Sequence, residues 1–442
     1  MVRESRHDHN PSPVASQHPL PASRGEGHCS REPSPGLRGE GGRRPDEGHV
    51  LTTTVEPEVV GGQSRFRVST EALRAYTMVF ALIVIWIFFQ WRTRSALYPY
   101  GLFLHPVNFA NLLKQMSVTG VLAVGMLFVI VARQIDLSVG SLLGLAGGIA
   151  AMAQGWGLVP SLLSGIAVAV VAGAFQGALV AYLNIPSFIV TLGGLLTWRG
   201  VILYLSKGET IPVRLPVFRL LGVALLTPAS GIGIAIVAIV AVIWLTIRRE
   251  RARKRYGLPV AGMAMNITRV LVPSALIVLF TYMMNDQGGI PLPVIIMLAV
   301  AIAGHFITQS TTFGRYLYAI GSNPDAAYLS GINSRRHIML AFGFLGAMVG
   351  VASLLHTGRV GSASPDAGTL MELDAIAACV IGGTSLMGGR GKVAGVLLGA
   401  LVMASLDNGM SLLSVENATQ YIIKGLVLVA AVGFDMAGRR KG

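Results

Sequence analysis

The side chains best placed to do chemistry in this 442-residue chain are polar groups stranded among apolar ones. Asp136 and Ser138 sit at a polar turn, Arg133-Gln134-Ile135-Asp136, between two apolar runs. Asn184, Ser187 and Thr191 follow, then Thr384, Ser385 and Asn408. Apart from Asp136 these are uncharged hydrogen-bonding groups. Weak, neutral contacts of this kind let a polar solute pass without being held, so the set forms a candidate translocation pathway. Each residue also has a plainer use. Asp136 can cap the helix that follows it, together with Ser138, or structure a broken helix at the pathway. The others can bond between packed helices.

Other chemistries find little support. Paired His, Asp or Glu at helical spacing are missing from the apolar runs, which argues against an intramembrane enzyme, and the chain is expected not to be one. Cys29 and Cys379 have neither disulfide nor metal spacing, and His7, His9, His18 and His28 are irregularly placed. No metal or other cofactor is expected. Gly388-Gly389-Arg390-Gly391-Lys392 looks faintly like a phosphate-binding loop, but Leu386 and Val393 stand where Gly and Ser or Thr are required. A Gly-rich turn between close-packed helices is the better reading.

The elements that must position these groups are helices in a bilayer. The chain is 52% hydrophobic and 13% charged, about half the usual charged share. Twelve apolar segments are expected, near 75–91, 112–132, 138–154, 160–183, 187–205, 225–247, 268–285, 290–308, 338–355, 370–386, 393–412 and 418–435. The fold class is therefore all-α, a polytopic transmembrane bundle of ten to twelve spans that can include re-entrant segments. Residues 1–68 are rich in Pro, Gly, Ser, Arg and Glu and are expected to be a disordered tail. Residues 69–437 form the membrane domain, and 438–442 a short cytoplasmic tail. The helix at 75–91 begins too late for a cleavable signal peptide.

The net charge of +14 lies wholly after residue 74. It clusters in short loops at segment ends, which fits the positive-inside rule and not nucleic-acid binding. Three clusters (248–255; Arg315, Arg335 and Arg336; Arg439-Arg440-Lys441) fall on one side of the membrane by span counting. That side is cytoplasmic, as are both termini; Arg92 and Arg94 then fall outside. A weak internal repeat pairs 122–152 with 374–405, each a helix–polar turn–helix. Glu372 and Asp374 are expected at an outer helix end, solvated or facing a periplasmic partner. Arg199 should face protein or a cavity near mid-span. His305 and Lys424 lie near segment ends, where they can snorkel.

One stretch is a bounded short helix on the cytoplasmic side, Tyr318 to Ile332. Asn323 can cap it, Pro324 fits its first position, Asp325 suits its dipole, and Gly331 can end it. Two turns are unstable alone in water, so the helix is expected to dock into something. Ala326 and Ala327 would let a partner groove approach closely, with Leu329 as an apolar anchor.

Four stretches carry a resemblance. They are Ile135-Asp136-Leu137-Ser138-Val139-Gly140-Ser141; Ile185-Pro186-Ser187-Phe188-Ile189-Val190-Thr191-Leu192-Gly193 with Arg199-Gly200; Phe313-Gly314-Arg315-Tyr316 through Ile332; and Glu372-Leu373-Asp374-Ala375-Ile376-Ala377-Ala378 with Ile381-Gly382-Gly383-Thr384-Ser385-Leu386-Met387-Gly388-Gly389-Arg390-Gly391. Together, over residues 70 to 437, they resemble the permease subunits of bacterial ABC importers for monosaccharides, in particular the D-xylose branch, given the longer region 206–300. The resemblance implies a non-enzymatic inner-membrane subunit that pairs as a homodimer, contacts bilayer lipid, and works with a separate ATPase and a periplasmic sugar-binding protein. It also implies that Asn323, Pro324, Asp325, Ala326, Ala327, Leu329 and Gly331 form the coupling helix. In relatives the motif begins with Glu and often has a basic residue at the position of Tyr328. An ion-coupled sugar carrier is the alternative; it would need buried carboxylates for the coupling ion, and only Asp136 stands clearly inside a bundle.

Overall fold

Long apolar runs rich in small residues make helices that can pack backbone to backbone, and that is how this chain is built. The computed structural model describes residues 70–258 and 262–439. The expected tail at 1–68 lies outside the described residues. All twelve apolar segments become helix, and α6, α10 and α11 join them: α1 (Thr70–Arg92), α2 (Pro106–Val131), α3 (Val139–Met152), α4 (Leu158–Tyr182), α5 (Ser187–Ser206), a short α6 (Pro216–Val223), α7 (Pro228–Arg255), α8 (Met263–Asn285), α9 (Leu292–Ser310), α10 (Thr312–Ser322), α11 (Pro324–Leu329), α12 (Ser334–Val360), α13 (Met371–Ile381), α14 (Val393–Leu412) and α15 (Asn417–Arg439). A 3₁₀ turn, Ala153–Trp156, prolongs α3. Two-residue strands β1 (Ile211–Pro212) and β2 (Ser362–Ala363) pair antiparallel, Ile211 opposite Ala363.

Among the described residues nine helices are long and apolar enough to cross a membrane, and α1 and α15 carry shorter apolar stretches, Thr77–Arg92 and Asn417–Gly433. The segment expected at 370–386 is different. Its helix, α13, has 11 residues, about 16 Å at 1.5 Å per residue, roughly half the ~30 Å hydrocarbon core. As helix it therefore covers only about half of that thickness. Two further boundaries shift. The basic loop expected at 248–255 is helical, the last two turns of α7, because a cationic end complements the helix dipole. Likewise α15 runs on to Arg439, past the boundary expected at 437.

The core is organised around α2, which is buried along nearly its whole length; Leu122, Leu127 and Ile130 are fully enclosed. Helix α12 packs against both α2 and α4. The α4–α12 contact runs through two facing small-xxx-small patterns, Gly173/Gly177 and Gly346/Gly350. A Cβ on Gly173 would stand 2.5 Å from the Phe342 carbonyl oxygen, and one on Gly350 would stand 2.8 Å from Ile166 Cα. Helices α13 and α14 meet in the same way, Gly395 against Gly382 and Gly399 against Ala378. In lipid, where burying apolar side chains yields little, such close backbone contact supplies much of the packing. The expected internal repeat is not a three-dimensional one: α13 and α14 pack side by side, whereas α2 and α3 share few contacts.

Three segments far apart in the chain come together at one end of the bundle. The Gly389 N–H donates to the Val131 carbonyl at 2.9 Å, and the Tyr318 hydroxyl to the Gly391 carbonyl at 2.7 Å. A Cβ on Gly321 or Gly388 would collide with Val131 and Arg133 respectively. The end of α2, the end of α10 and the α13–α14 turn thus form one floor.

Candidate functional site

From that floor the chain turns inward through residues 132–138 and begins α3 inside the domain. Asp136 organises the turn. Its Oδ1 accepts from the Ser138 N–H and the Ser138 hydroxyl, both at 2.7 Å, which is an Asx turn that starts the helix. The Ser138 hydroxyl then meets the Gln176 side-chain amide, 3.0 Å from Nε2 and 3.1 Å from Oε1. Trp198 donates to Gln176 Oε1 at 3.3 Å. From the neighbouring α5, Ser187 Oγ accepts from the Ile135 N–H and Thr191 Oγ1 donates to the Ile135 carbonyl, both at 3.3 Å. Asp136, Ser138, Gln176 and Thr191 are all buried. Burial disfavours the carboxylate and raises Asp136 to about 6, against the opposing pull of the two Ser138 hydrogen bonds.

The first turn of α3 lies against the lead-in to α13. A Cβ on Gly140 would strike Glu372 Oε2 and the Gly368 carbonyl, and one on Gly144 would stand 2.8 Å from the Ala367 carbonyl. Arg199, on α5, grips the same lead-in. It donates to the Pro365 carbonyl, to the Ala367 carbonyl at 3.1 Å and to Thr369 Oγ1 at 3.2 Å. The starts of two interrupted helices are therefore tied together at α3, α4 and α5. The expectation that Arg199 faces protein holds, with carbonyls and a hydroxyl as its hydrogen-bonding partners.

Four of the eight pathway candidates, Asp136, Ser138, Ser187 and Thr191, share this cluster. The other four lie elsewhere. Asn184 is exposed in the α4–α5 turn, in the left-handed region at φ +54, where its short amide is tolerated. Thr384 and Ser385 are buried in the turn after α13, where the Thr384 N–H donates to Cys379 and the Ser385 N–H to Arg390. Asn408 joins Asn108 in a reciprocal amide pair, at 2.7 and 3.1 Å, that ties α14 to α2. In this arrangement Asn408 is an interhelical clasp, and the eight residues do not line one continuous wall.

A second charged site was not foreseen. Lys424 Nζ, on α15, lies 3.0 Å from Asp374 Oδ2 on α13 and 2.9 Å from Asp407 Oδ1 on α14. Glu372 and Asp374, expected at a solvated or partner-facing helix end, are buried at 8% and 5% exposure, because the α13 lead-in folds back over them. Lys424 does not snorkel: its ammonium is held between two carboxylates. Asp136 is accordingly not the lone buried acid. The signals were present, as Asp407 and Lys424 each interrupt an apolar run and Gln176 does so within α4. What sequence could not supply was that three different helices bring Asp374, Asp407 and Lys424 to one point.

The bounded helix takes the expected form as α11. The Asn323 side-chain oxygen accepts from the Ala326 N–H at 3.0 Å, and Pro324 occupies the first turn. At the other end the Gly331 N–H bonds to Tyr328 and the Ile332 N–H to Ala327, a Schellman closure with Gly331 at φ +77. Tyr328 and Leu329 are 76% and 84% exposed and Asp325 and Ala326 are exposed. Ala327 departs from expectation: at 3% exposure it faces this chain's own interior and offers nothing to a partner. The helices on either side are capped in the same manner, α10 by Thr311 and α12 by Asn333. Thus α11 sits on a rigid mount.

Comparison with known proteins gives a consistent picture. Residues 108–432 match the family described as branched-chain amino acid transport system / permease component. The chain is similar to the xylose transport system permease protein of Haemophilus influenzae, 42% identical over 382 residues, covering 85% of this chain and all of that one. It is 41% identical to the xylose transport system permease protein of Escherichia coli K12 over 372 residues, 84% of this chain and 93% of that one. With the ribose import permease protein of the same strain it shares 34% over 330 residues, 74% and 85% of the two chains. No solved structure matches.

Proposed function

Because the chain belongs to the branched-chain amino acid transport system / permease component family, we propose that it is the membrane-spanning subunit of an ATP-binding-cassette importer that carries a pentose such as xylose. The observation that carries this reading is the match over the whole length of a xylose permease, at higher identity than to a ribose permease. The family sets aside the ion-coupled carrier, although the described chain buries more carboxylates than the one the sequence placed in the bundle. In this reading, which rests on the permease family, the energy comes from a separate ATPase and this chain is a non-enzymatic subunit.

Helix α11 is the point at which it would arrive. Its exposed Leu329, Tyr328 and Asp325 form the docking surface, while Asn323, Pro324 and Gly331 shape it and Ala327 anchors it to this chain. The capped helices α10 and α12 carry a push on α11 inward as rigid-body motion. Helix α12 runs straight into the glycine contact with α4, and α10 sits on the α13–α14 turn through Tyr318. The Asp136 cluster and the Arg199-held lead-in to α13 then lie where the two interrupted helices can part. A periplasmic sugar-binding protein delivers the sugar from outside, two copies of this subunit make the channel, and both termini are cytoplasmic in the inner membrane.

Reconstitution with the partner ATPase and binding protein in proteoliposomes tests this. Labelled xylose should accumulate only with ATP, and Leu329→Ser or Asp325→Lys should abolish both uptake and sugar-stimulated ATP hydrolysis. Unchanged uptake by these variants would remove α11 from the role. Uptake driven by a proton gradient without ATP would overturn the importer reading itself.

A further inference from the structure

Helices α7 and α8 form a hairpin at the edge of the domain. Almost all of its surface is open, and the two helices pack mainly on each other. A cleft of about 930 Å³ opens between the end of α7 and the start of α8, within the range of ~300–1,000 Å³ typical of ligand clefts. Its composition is split by height. Ile247, Ile267 and Leu271 line the lower part, with the hydroxyls of Thr246 and Ser274 among them, and Arg251, Lys254 and Glu250 line the upper.

The depth of that division can be read from the helix. With 28 residues, α7 is about 42 Å long, some 12 Å more than a ~30 Å hydrocarbon core. Trp244 carries the Arg248 guanidinium over its ring, 5.2 Å from the centroid. An aromatic ring paired with a cation is the arrangement favoured at the boundary between acyl chains and headgroups. Arg251 and Lys254 lie about two to three turns beyond Trp244, on its headgroup side, and both are exposed. Residues 248–255 carry six cations and one carboxylate, Glu250. On the membrane side of that cationic rim, the exposed Ile247, Ile267 and Leu271 present an apolar channel of the kind acyl chains fill.

We propose that the α7–α8 cleft binds an anionic phospholipid of the leaflet in which residues 248–255 lie. Its phosphate is held by Arg251 and Lys254, and an acyl chain runs along Ile247, Ile267 and Leu271. Charge selects the ligand. A zwitterionic headgroup brings its own cation and gains little from a rim of this sign, whereas a net-negative one gains from each Lys or Arg within a Debye length.

The test uses the purified full-length chain, delipidated and titrated with phosphatidylglycerol or phosphatidylcholine while bound lipid is counted by native mass spectrometry. Phosphatidylglycerol should bind at least tenfold more tightly than phosphatidylcholine. The double variant Arg251→Ala/Lys254→Ala should weaken it about 30-fold, from ~1 kcal/mol per cation lost. A charge-matched Arg92→Ala/Arg94→Ala variant should leave it unchanged. Equal binding of the two lipids by the unmodified chain would overturn the proposal without recourse to any variant. So would displacement of the lipid by inorganic phosphate at equal concentration, which marks a site for a free anion. A disulfide formed between copies by Leu271→Cys in lipid bilayers would also overturn it, as the cleft is then covered by a second copy.

Discussion

The Asp374–Lys424–Asp407 site makes an asymmetric prediction. It places two carboxylates against one ammonium, so its members are not equivalent. At 3.0 Å, with an effective dielectric of 20, each contact is worth about 5–6 kcal/mol of attraction before desolvation is subtracted. Lys424→Met removes both contacts at once and leaves two acids facing each other in a largely buried setting. Breaking a buried pair from one side typically costs ~3–5 kcal/mol. Asp374→Asn does the opposite: it leaves Lys424 paired one to one with Asp407, removes the surplus negative charge, and keeps a hydrogen-bonding oxygen near Nζ. Its cost should be under about 1 kcal/mol. The triple variant Asp374→Asn/Lys424→Met/Asp407→Asn should recover most of the loss of Lys424→Met, since neutral groups carry no Born penalty. Thermal unfolding of the detergent-solubilised chain reads all three. If Lys424→Met melts with Asp374→Asn, or the triple variant melts no higher than Lys424→Met, the ammonium does not hold these helices together.

Three further outcomes follow from the packing and the turns. Gly346→Leu should lower stability severely or block assembly, because its Cβ would strike the backbone of Ala169 on α4, whereas Gly425→Leu, with open space around it, should be near neutral in the same unfolding assay. Asp136 has its pKa raised from 3.8 to about 6, so its ionisation opposes folding: stability is full below the unfolded value and falls as pH rises through about 6. Asp136→Asn should therefore gain on the parent chain between pH 4 and 7, by ~3 kcal/mol at most, and a melting-temperature difference that does not change with pH would contradict this. A double-mutant cycle on Asn108→Ala and Asn408→Ala should show a coupling energy of ~1–3 kcal/mol, since either change alone orphans a buried amide; strict additivity would refute the clasp.

Much of the architecture was legible because its signals are local. A run of some twenty apolar residues specifies a helix in lipid whatever its neighbours, so the segments were placed, and α11 appeared with the cap, first-turn proline and closing glycine that Asn323, Pro324 and Gly331 foretold. The short α13 was read too long because apolar character continues past Ile381 through a turn that is itself buried. The basic end of α7 was read as a loop because charge marks the edge of the membrane but not the end of a helix.

The candidate site was half legible for the opposite reason. The sequence by itself determined that Asp136 would start a helix with Ser138, since an Asx turn needs only neighbours two residues apart. It also determined that polar groups sit at membrane depth, and by its family motifs what kind of protein this is. Only the tertiary structure decided which polar groups meet. Gln176 completes the Asp136 cluster from 38 residues away, Asn408 is spent on Asn108 across 300, and Ala327 turns inward while Leu329 turns out. Lys424 finds Asp374 and Asp407 because α13, α14 and α15 converge, which no spacing along the chain encodes. In a bilayer the cost of an unpaired polar group is high enough that partners must be found, but where they are found depends on which helices the small residues allow to touch.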